Sequence, residues 1–528
     1  MNAKNLISIL PSLVKCIPAA YIKEQRWFGS KSQDITEVEL CDAAIFSHRS
    51  NWYALTLIRM TYENNETEMY VLPLAFIKTN AVVSMDRPVI TMLEMKSIEG
   101  NYAVFDALSD DEFCRLQLDY IKSSMTVKAL EGRFNFLSTP VFTETTGEEL
   151  DLSQVSLAHL KTEQSNTSVI YENAFIMKNF RKLSYGINPD LEIPLFLTTR
   201  TGFRNIARVA GYIEYTDNNN LKTSIASLQT FIPNEGDGWS YTLEHLKKFY
   251  DFALQHDSAT GLDQSANDGI EPIVQEFFSH YLSSMHRLGQ VTGELHVALA
   301  SDAAEPDFTP EEITPADVTL WVSRIRSYGT EVISGLQNAA KSFPPQIEEQ
   351  LRKVSDNISL YLLKSGDLAV LAEQKIWKTR YHNDYHLGQV LKTGNDFVII
   401  DFEGEPARPL EERKQKQSPL KDVAGMLRSF NYAVYATIFN MKLESDRMII
   451  LEMWGRVWEE LVKKSYLDGY LVATGGTGAR FLPDSEEAIL KVLSVFQMDK
   501  AIYELNYELN NRPTWVGIPL KYLTSLLE

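Results

Sequence analysis

The prevailing period of this chain's apolar residues changes at Pro233, and that change limits the folds open to it. Before Pro233 they recur mostly at alternate positions between polar turns, as strands require. Tyr53–Met60 reads as a strand, and Met69–Phe76 as the next, after the polar turn Glu63–Glu68. Val82–Val83 and Tyr102–Phe105 suggest two more. Asp110–Ser124 reads as a helix: Asp110 and Asp111 suit its start, and Phe113, Leu116, Leu118, Tyr120 and Ile121 supply its apolar positions. Between Phe134 and Phe231, Val169–Tyr171 and Ala174–Phe180 read as strands about the turn Glu172–Asn173. Asp190–Thr199 reads as a helix, and Arg208–Tyr215 and Ser224–Phe231 as a strand pair about the turn Asp217–Asn220.

After Pro233 the helical period takes over, in Leu243–Gln255, Ile273–Leu288, Pro315–Leu336, Pro345–Leu363, Met448–Lys464 and Ser485–Asn510. One β-like island, Phe397–Phe402, interrupts them, and Ser301–Pro315, rich in Asp, Glu, Pro and Ala, reads as an exposed loop. A length of 528 residues exceeds one compact core. Three divisions follow: a β-rich region over 1–110, a second β-rich region over 111–231, and a helical region over 232–528. A β-rich lobe joined to a helical lobe by one crossing is one way to build a nucleotide cleft, and motifs must decide whether this chain does so.

Composition narrows the partners. Acidic residues outnumber basic ones by 70 to 51, a formal charge of −19, so a phosphodiester backbone is repelled and nucleic acid is not an expected partner. Cys16, Cys41 and Cys114 are odd in number and widely spaced, as reduced thiols of a cytoplasmic protein would be. Pro11, Lys15 and Pro18 interrupt the N-terminal apolar run, which does not read as a signal peptide, and no apolar stretch reaches the length of a membrane span. The cytoplasm is the expected location.

The strongest signal is RYHNDYHLGQ (Arg380–Gln389) followed by IIDFEG (Ile399–Gly404). It places two carboxylates, Asp384 and Asp401, on two loops, with a side-chain amide, Gln389, between them. A carboxylate can accept a proton from a substrate hydroxyl, and an amide with a second carboxylate can hold Mg2+ through oxygen. A base, a metal-binding amide and a metal-binding Asp recur in that order in kinase catalytic loops. Asp384 is therefore the candidate base, and Gln389 and Asp401 the candidate metal ligands. Either segment alone is an ordinary turn sequence; their order and spacing together carry the reading. His386 suits a structural hydrogen bond, and His296 suits packing, because no further His or Cys stands at zinc-ligand spacing. Asp422 opens a helix in SPLKDVAGMLR (Ser418–Arg428), where it either caps that helix or holds the catalytic loop through backbone N–H groups.

The nucleotide side shows neither GxGxxG nor GxxxxGK[ST]. In their place stands EQSNTS (Glu163–Ser168), in which Ser165, Asn166, Thr167 and Ser168 could offer hydroxyls and backbone N–H groups to ATP phosphates, though such clusters are usually plain loops. Lys178 follows on the next strand, alternating with Ile176 and Phe180 on a face expected to be buried or to line a cleft. Glu192, in the following helix, is its candidate partner, as in the Lys–Glu pair of kinases. For an acceptor, Tyr503, Glu504, Tyr507 and Glu508 repeat at four-residue spacing, with Trp515 just beyond. Aromatic rings with carboxylates suit a sugar, while an amphipathic helix packed on a core has the same pattern.

These segments, in order along nearly the whole chain, resemble the bacterial maltokinase family. The resemblance is carried by HNDYHLGQ (His382–Gln389), DFEGEPARPL (Asp401–Leu410) and SPLKDVAGMLRSF (Ser418–Phe430). QRWFGSK (Gln25–Lys31), EQSNTS (Glu163–Ser168), NPDLE (Asn188–Glu192), PNEGDGW (Pro233–Trp239) and YELNYELNNRPTWVGIP (Tyr503–Pro519) add to it. It implies an α+β, bilobal, protein-kinase-like fold with an N-terminal β-rich cap subdomain, a β-rich N-lobe and a helical C-lobe. It implies ATP and Mg2+ as cofactors, and transfer of the γ-phosphate to the anomeric hydroxyl of maltose, giving maltose 1-phosphate for α-glucan synthesis. It leaves self-association or a separate trehalose synthase as protein partners. Two departures stand out: Asn383 replaces the Gly usual in that loop, at a place where Asn tolerates left-handed angles, and extra length falls around Leu262–Ile270 and Ser301–Pro315. A kinase for glucosamine or another aminosugar, and a non-catalytic kinase-like sensor, are the alternatives; a retained base argues against the second.

Overall fold

The structure is a computed structural model, and it describes all residues except 1–2, 80–87, 94–100, 148–150, 152–153, 161–164, 261–266, 302–303, 340–342, 406–407, 479 and 528. Val82–Val83, Glu163, Gln164 and the first part of the Leu262–Ile270 stretch lie outside the described residues. Two compact units emerge: Met1–Thr199 with Ala207–Pro233, and Arg200–Ile206 with Asn234–Glu528.

The first unit holds two seven-stranded sheets. Helices α1 (Ala3–Lys15) and α2 (Ala19–Glu24) precede β1 (Ile35–His48), β2 (Asn51–Tyr62), β3 (Thr67–Val71), β4 (Leu74–Thr79), β5 (Val89–Leu93) and β6 (Asn101–Asp106). The span Met69–Phe76 is thus two strands: Pro73 lacks the N–H that a continuous ladder needs, and the chain leaves β3 for β4 there. Helix α3 (Asp111–Lys122) follows, with the Asp110 carboxylate accepting from Glu112 N–H at its start. Then come β7 (Thr126–Lys128), β8 (Arg133–Ser138), α4 (Pro140–Thr146), β9 (Leu157–His159), β10 (Asn166–Tyr171), β11 (Phe175–Phe180), β12 (Lys182–Leu183), α5 (Pro189–Arg200), β13 (Val209–Thr216) and β14 (Lys222–Thr230).

The first sheet runs β12-β3-β2-β4-β6-β5, with β1 also on β2, and the second runs β7-β8-β13-β14-β11-β10-β9. Strand β12 thus continues the chain from the second sheet into the first. Hairpin β10–β11 turns through Glu172 and Asn173, both at positive φ (51° and 55°), and Ala174 N–H donates to the Tyr171 carbonyl at 2.8 Å across them. The core of the second sheet, among it Val169, Met177, Ile213 and Leu228, packs on Leu118 and Ile121 of α3, while α1 and Trp27 cover the first sheet.

The second unit is helical: α6 (Gly238–Thr260), α7 (Asn267–Leu299), β15 (Glu311–Glu312), α8 (Pro315–Ala339), α9 (Pro345–Asp356), α10 (Ile358–Lys364) and α11 (Ala369–Glu373). It continues with β16 (Trp377–Lys378), β17 (Val390–Thr393), β18 (Asp396–Ile399), α12 (Leu410–Arg413), α13 (Leu420–Met441), α14 (Ser445–Thr474), α15 (Glu486–Asn511) and α16 (Gly517–Ser525). The period read as one helix over Pro345–Leu363 is two, because Asn357 leaves helical angles (φ −105°, ψ 16°). The described residues of Ser301–Pro315 are mostly exposed, as the composition suggests, but the stretch is anchored: β15 pairs with β16, and Phe308 and Ile313 are buried. Helices α7 and α14 approach so closely that a Cβ on Gly289 or Gly469 would overlap a backbone carbonyl of the other helix. Among the described residues no helix is long and apolar enough to cross a membrane.

Candidate active site

The loop Tyr381–Gln389 precedes the hairpin β17–β18, and Asp401 sits just past β18. The hairpin ties these segments together: Val390 pairs with Ile399, and Ile400 N–H donates to the Gln389 carbonyl at 3.0 Å. Two non-glycine residues take left-handed angles here, Asn383 at φ 72° and Asp401 at φ 62°. Asn and Asp tolerate this region better than most residues, because their short polar chains bond locally. Asn383 Oδ1 does so, accepting from Tyr381 OH at 2.6 Å.

Asp422, at the start of α13, holds the loop from beneath. Its Oδ2 accepts from His382 N–H at 2.6 Å and its Oδ1 from Asn383 N–H at 3.0 Å. Buried His296 completes the cradle, with Nε2 3.2 Å from Asp422 Oδ2 and Nδ1 3.0 Å from Tyr470 OH. Gly425, one turn along α13, faces the Tyr385 carbonyl, which would lie 2.6 Å from any Cβ placed there. His386 has a local role: Nδ1 accepts from Gly388 N–H at 3.0 Å.

Gln389 Nε2 lies 3.1 Å from Asp401 Oδ2, so the amide and the carboxylate form one oxygen-bearing group. No set of three or more His, Cys, Asp and Glu residues suited to a metal occurs among the described residues. An amide and a carboxylate suit Mg2+, which characteristically takes one or two protein oxygens and fills its octahedron with water and phosphate.

Sequence reading missed the partner of Asp384. Lys500, on α15, places Nζ 3.1 Å from Asp384 Oδ1 and 3.3 Å from Glu405 Oε1, and Arg408 binds Glu405 from the other side. Burial alone would raise the Asp384 carboxyl, but the Lys500 charge, with His386 near, outweighs it and holds Asp384 below the ordinary Asp value. Glu405 is lowered likewise, against burial, by Lys500 and Arg408. Burial pulls Lys500 down, yet Asp384 and Glu405 raise it above the ordinary Lys value. Asp384 is thus ionised at neutral pH, the form that accepts a proton.

Asp384 opens into a cavity of about 650 Å³ within the second unit. Trp321, Tyr328, Tyr381, Phe496 and Tyr503 line it with rings, and Arg324, Glu331, Glu405, Arg408, Glu412, Lys421, Asp499, Lys500 and Asn506 with polar groups. Of the residues expected to hold sugar, the cavity takes in Tyr503, over whose ring Lys500 Nζ sits 4.8 Å from the centroid. The other four are engaged elsewhere. Glu504 receives buried Arg428 at 2.6 Å, and Glu508, buried, is bound by Arg512 at 2.5 Å and by Tyr432 OH. Tyr507 is exposed under Arg512, and Trp515 stacks on Tyr432 with centroids 6.1 Å apart. Glu504 and Glu508 both turn toward α13, whereas Tyr503 faces the cavity and Tyr507 does not, and the residues of α15 nearest Asp384 are Lys500 and Tyr503.

In the first unit, Lys178 lies in β11 opposite Ser168 of β10. The face it shares with Ile176 is half-buried, while Phe175, Met177 and Asn179 face the core. Its Nζ is 2.8 Å from Asp190 Oδ2, a buried carboxylate in the first turn of α5, two positions before Glu192. Sequence reading had named Glu192 and not Asp190. Asn166, Thr167 and Ser168 prove to be the opening of β10, with Ser165 exposed just ahead of it and Ser168 fully buried.

Comparison with known proteins agrees with this architecture. The model of the maltokinase N-terminal cap domain matches residues 21–110, which hold β1–β6. A glucosamine kinase of Streptacidiphilus jiangxiensis is 24% identical over 368 residues, 69% of this chain and 72% of its own. A glucosamine kinase of Mycolicibacterium smegmatis (strain ATCC 700084 / mc(2)155) is 24% identical over 372 residues, 70% and 79% of the two chains. A solved glucosamine kinase in complex with glucosamine, ADP and inorganic phosphate superposes with a TM-score of 0.64 at 18% identity, over 98% of this chain and 99% of that one. The fold is kinase-like, with a β-sheet N-terminal region that begins with the cap and a helical C-terminal region.

Proposed function

We propose that this chain, which carries a maltokinase N-terminal cap domain on a kinase-like fold, transfers the γ-phosphate of ATP to a sugar, and that its acceptor is the anomeric hydroxyl of maltose. The observation that carries the reading is the Asp384 carboxylate, kept ionised by Lys500 at the edge of a ring-lined cavity, on a loop pinned by Asp422. A base so placed accepts the proton of an attacking hydroxyl, and its fixed loop supplies the orientation on which phosphoryl transfer depends. Gln389 and Asp401 would hold Mg2+, whose charge, when bound, offsets that of the phosphate oxygens. Lys178, oriented by Asp190, and the opening of β10 at Ser165–Ser168 would bind ATP phosphates, with Glu192 a further support for the lysine.

The cavity also bears on the acceptor. Its volume of about 650 Å³ has room for a disaccharide, and its rings suit the CH faces of glucose units. The carboxylates beside the base already have cations: Lys500 for Asp384 and Glu405, Arg408 for Glu405. An ammonium-bearing acceptor would compete with Lys500 for the same oxygens, whereas a neutral sugar would not. Glucosamine is the second reading, because the relatives at 24% identity are glucosamine kinases. Incubation with ATP, Mg2+ and single sugars, followed by identification of the phosphorylated carbon, separates the two. Maltose 1-phosphate supports the first reading; phosphate on glucosamine with none on maltose refutes it. Asp384→Asn is expected to abolish transfer and leave nucleotide binding intact; surviving turnover would show that Asp384 is not the base.

A further inference from the structure

One motif of the sequence has no part in the site above: QRWFGSK, Gln25–Lys31, within the cap. Its Trp27 is buried, and the guanidinium of Arg181 lies over the indole, 5.1 Å from its centroid. Arg181 is itself only 2% exposed, at the point where the chain passes from β11 to β12. Its Nη2 donates to Asp106, the last residue of β6, at 2.7 Å, and its backbone carbonyl accepts from Val71 N–H of β3 at 2.8 Å. Its Nε donates to Thr167 Oγ1, near the start of β10, at 2.8 Å. Thr167 is fixed a second time, through its carbonyl, by Asn179 Nδ2 at 3.2 Å.

We infer that Arg181 is a positioning residue for the nucleotide: the cap, through Trp27 and Asp106, fixes a buried guanidinium that sets the phosphate-binding opening of β10. The proposal rests on the assignment of Ser165–Ser168 and Lys178 to ATP phosphates. A buried guanidinium needs a charged partner, and Asp106 supplies it, so cap and strand cannot shift independently without leaving a desolvated charge. Arg181 also follows Lys178 by three residues, so displacement of this junction reaches both phosphate-binding elements. On this view the cap is part of the nucleotide site, acting through Arg181 without touching ATP.

The test uses the full chain and two substitutions outside the residues assigned to ATP phosphates. Arg181→Lys keeps the charge for Asp106 and removes the Nε bond to Thr167; Asp106→Asn keeps the volume and removes the charge. ADP affinity by calorimetry, KM for ATP, KM for the sugar and the melting temperature are measured for each. The expected result is about tenfold weaker ADP binding and a similar rise in KM for ATP in both, with KM for the sugar unchanged. If both lower only the melting temperature while ADP affinity stays within about twofold, the contacts are merely structural and the proposal falls, with the kinase reading intact. Failure of the unaltered chain to bind ADP would overturn the kinase reading, and this proposal with it.

Discussion

Replacing Lys500 by Met removes one charge and keeps an unbranched chain of similar reach, so it isolates the electrostatics of the proposed base, Asp384. Lys500, Asp384 and Glu405 have side chains 24%, 23% and 10% exposed, and two charged hydrogen bonds of 3.1 and 3.3 Å join them. A hydrogen bond to a charged group is worth about 1.5–3 kcal/mol. Because the two bonds share one donor, their combined loss is placed at about 3 kcal/mol near pH 7, within the range for breaking a buried pair. That energy is lost to the ionised carboxylates, and at 1.36 kcal/mol per pKa unit it spreads as a rise of about one unit over each of the two.

The sign is fixed by the direction of the native shifts. Asp384 and Glu405 are lowered in the folded chain, so they stabilise it above the ordinary carboxylate range and lose that contribution as pH falls through their folded values. In Lys500→Met both carboxyls protonate earlier, so the stability deficit is largest at neutral pH and narrows toward about pH 4. The acid limb of kcat/KM, set by ionisation of Asp384, moves up by about one pH unit. Initial rates and melting temperatures between about pH 3 and 7, a range that spans folded values below 3.8 for Asp384 and below 4.5 for Glu405, read both effects. A limb that stays in place, with a deficit equal at about pH 4 and pH 7, would refute the electrostatic account of the proposed base.

Asp422→Asn leaves His382 N–H or Asn383 N–H without its acceptor; a fall in kcat of about 100-fold is expected, with a stability loss of about 2 kcal/mol, read from initial rates and thermal melting. Asn383→Gly is expected to keep most activity, whereas Asn383→Ala keeps a β-carbon at φ 72° but loses the polar group that bonds Tyr381 OH, and costs about 1 kcal/mol in melting experiments. Gly289→Ala drives a methyl group into the Tyr466 carbonyl where α7 meets α14; a loss above about 3 kcal/mol, seen as a sharp fall in melting temperature, is the expected outcome.

What the sequence made legible was what short-range geometry determines. Asp384, Gln389 and Asp401 lie on one loop and one hairpin, so their spacing along the chain maps almost directly onto their spacing in space. Asp422 was legible for the same reason, as a helix-start carboxylate with two candidate uses, and the bonds to His382 and Asn383 select the loop-holding one. Lys500 stands 116 positions from Asp384 and 95 from Glu405, and no local period marks such a pair. The acceptor helix shows the limit most clearly. Its period fixed which residues share a face, but the rotation of α15 is set by partners remote in sequence, Arg428 and Tyr432 of α13. Those partners claimed Glu504 and Glu508, leaving Lys500 and Tyr503 to face Asp384 and the cavity. Pro73 is the opposite case: a break between β3 and β4 that its missing N–H announces, overlooked because the apolar pattern runs through it.

The long-range pairs have one thing in common that a count of charges hides. The chain is acidic overall, at −19, yet several buried or half-buried cations hold carboxylates of other elements, among them Lys178 on Asp190, Arg181 on Asp106, Arg428 on Glu504, and Lys500 on Asp384 and Glu405. Buried pairs add little net stability, because desolvation offsets most of their attraction, but they are costly to break singly. They therefore act as geometric constraints more than as sources of stability. Surface pairs such as Lys464–Asp468, with side chains 72% and 51% exposed, impose no comparable constraint, since water can replace either partner. A strand lysine, a junction arginine and a helix lysine each reach a carboxylate on another element, and each pair adjoins the proposed phosphate or acceptor chemistry. Desolvation at those places fixes geometry within each unit, the proposed phosphate-binding strand and its lysine in one and the proposed base in the other, the kind of preorganisation phosphoryl transfer needs from a protein that does little covalent chemistry itself.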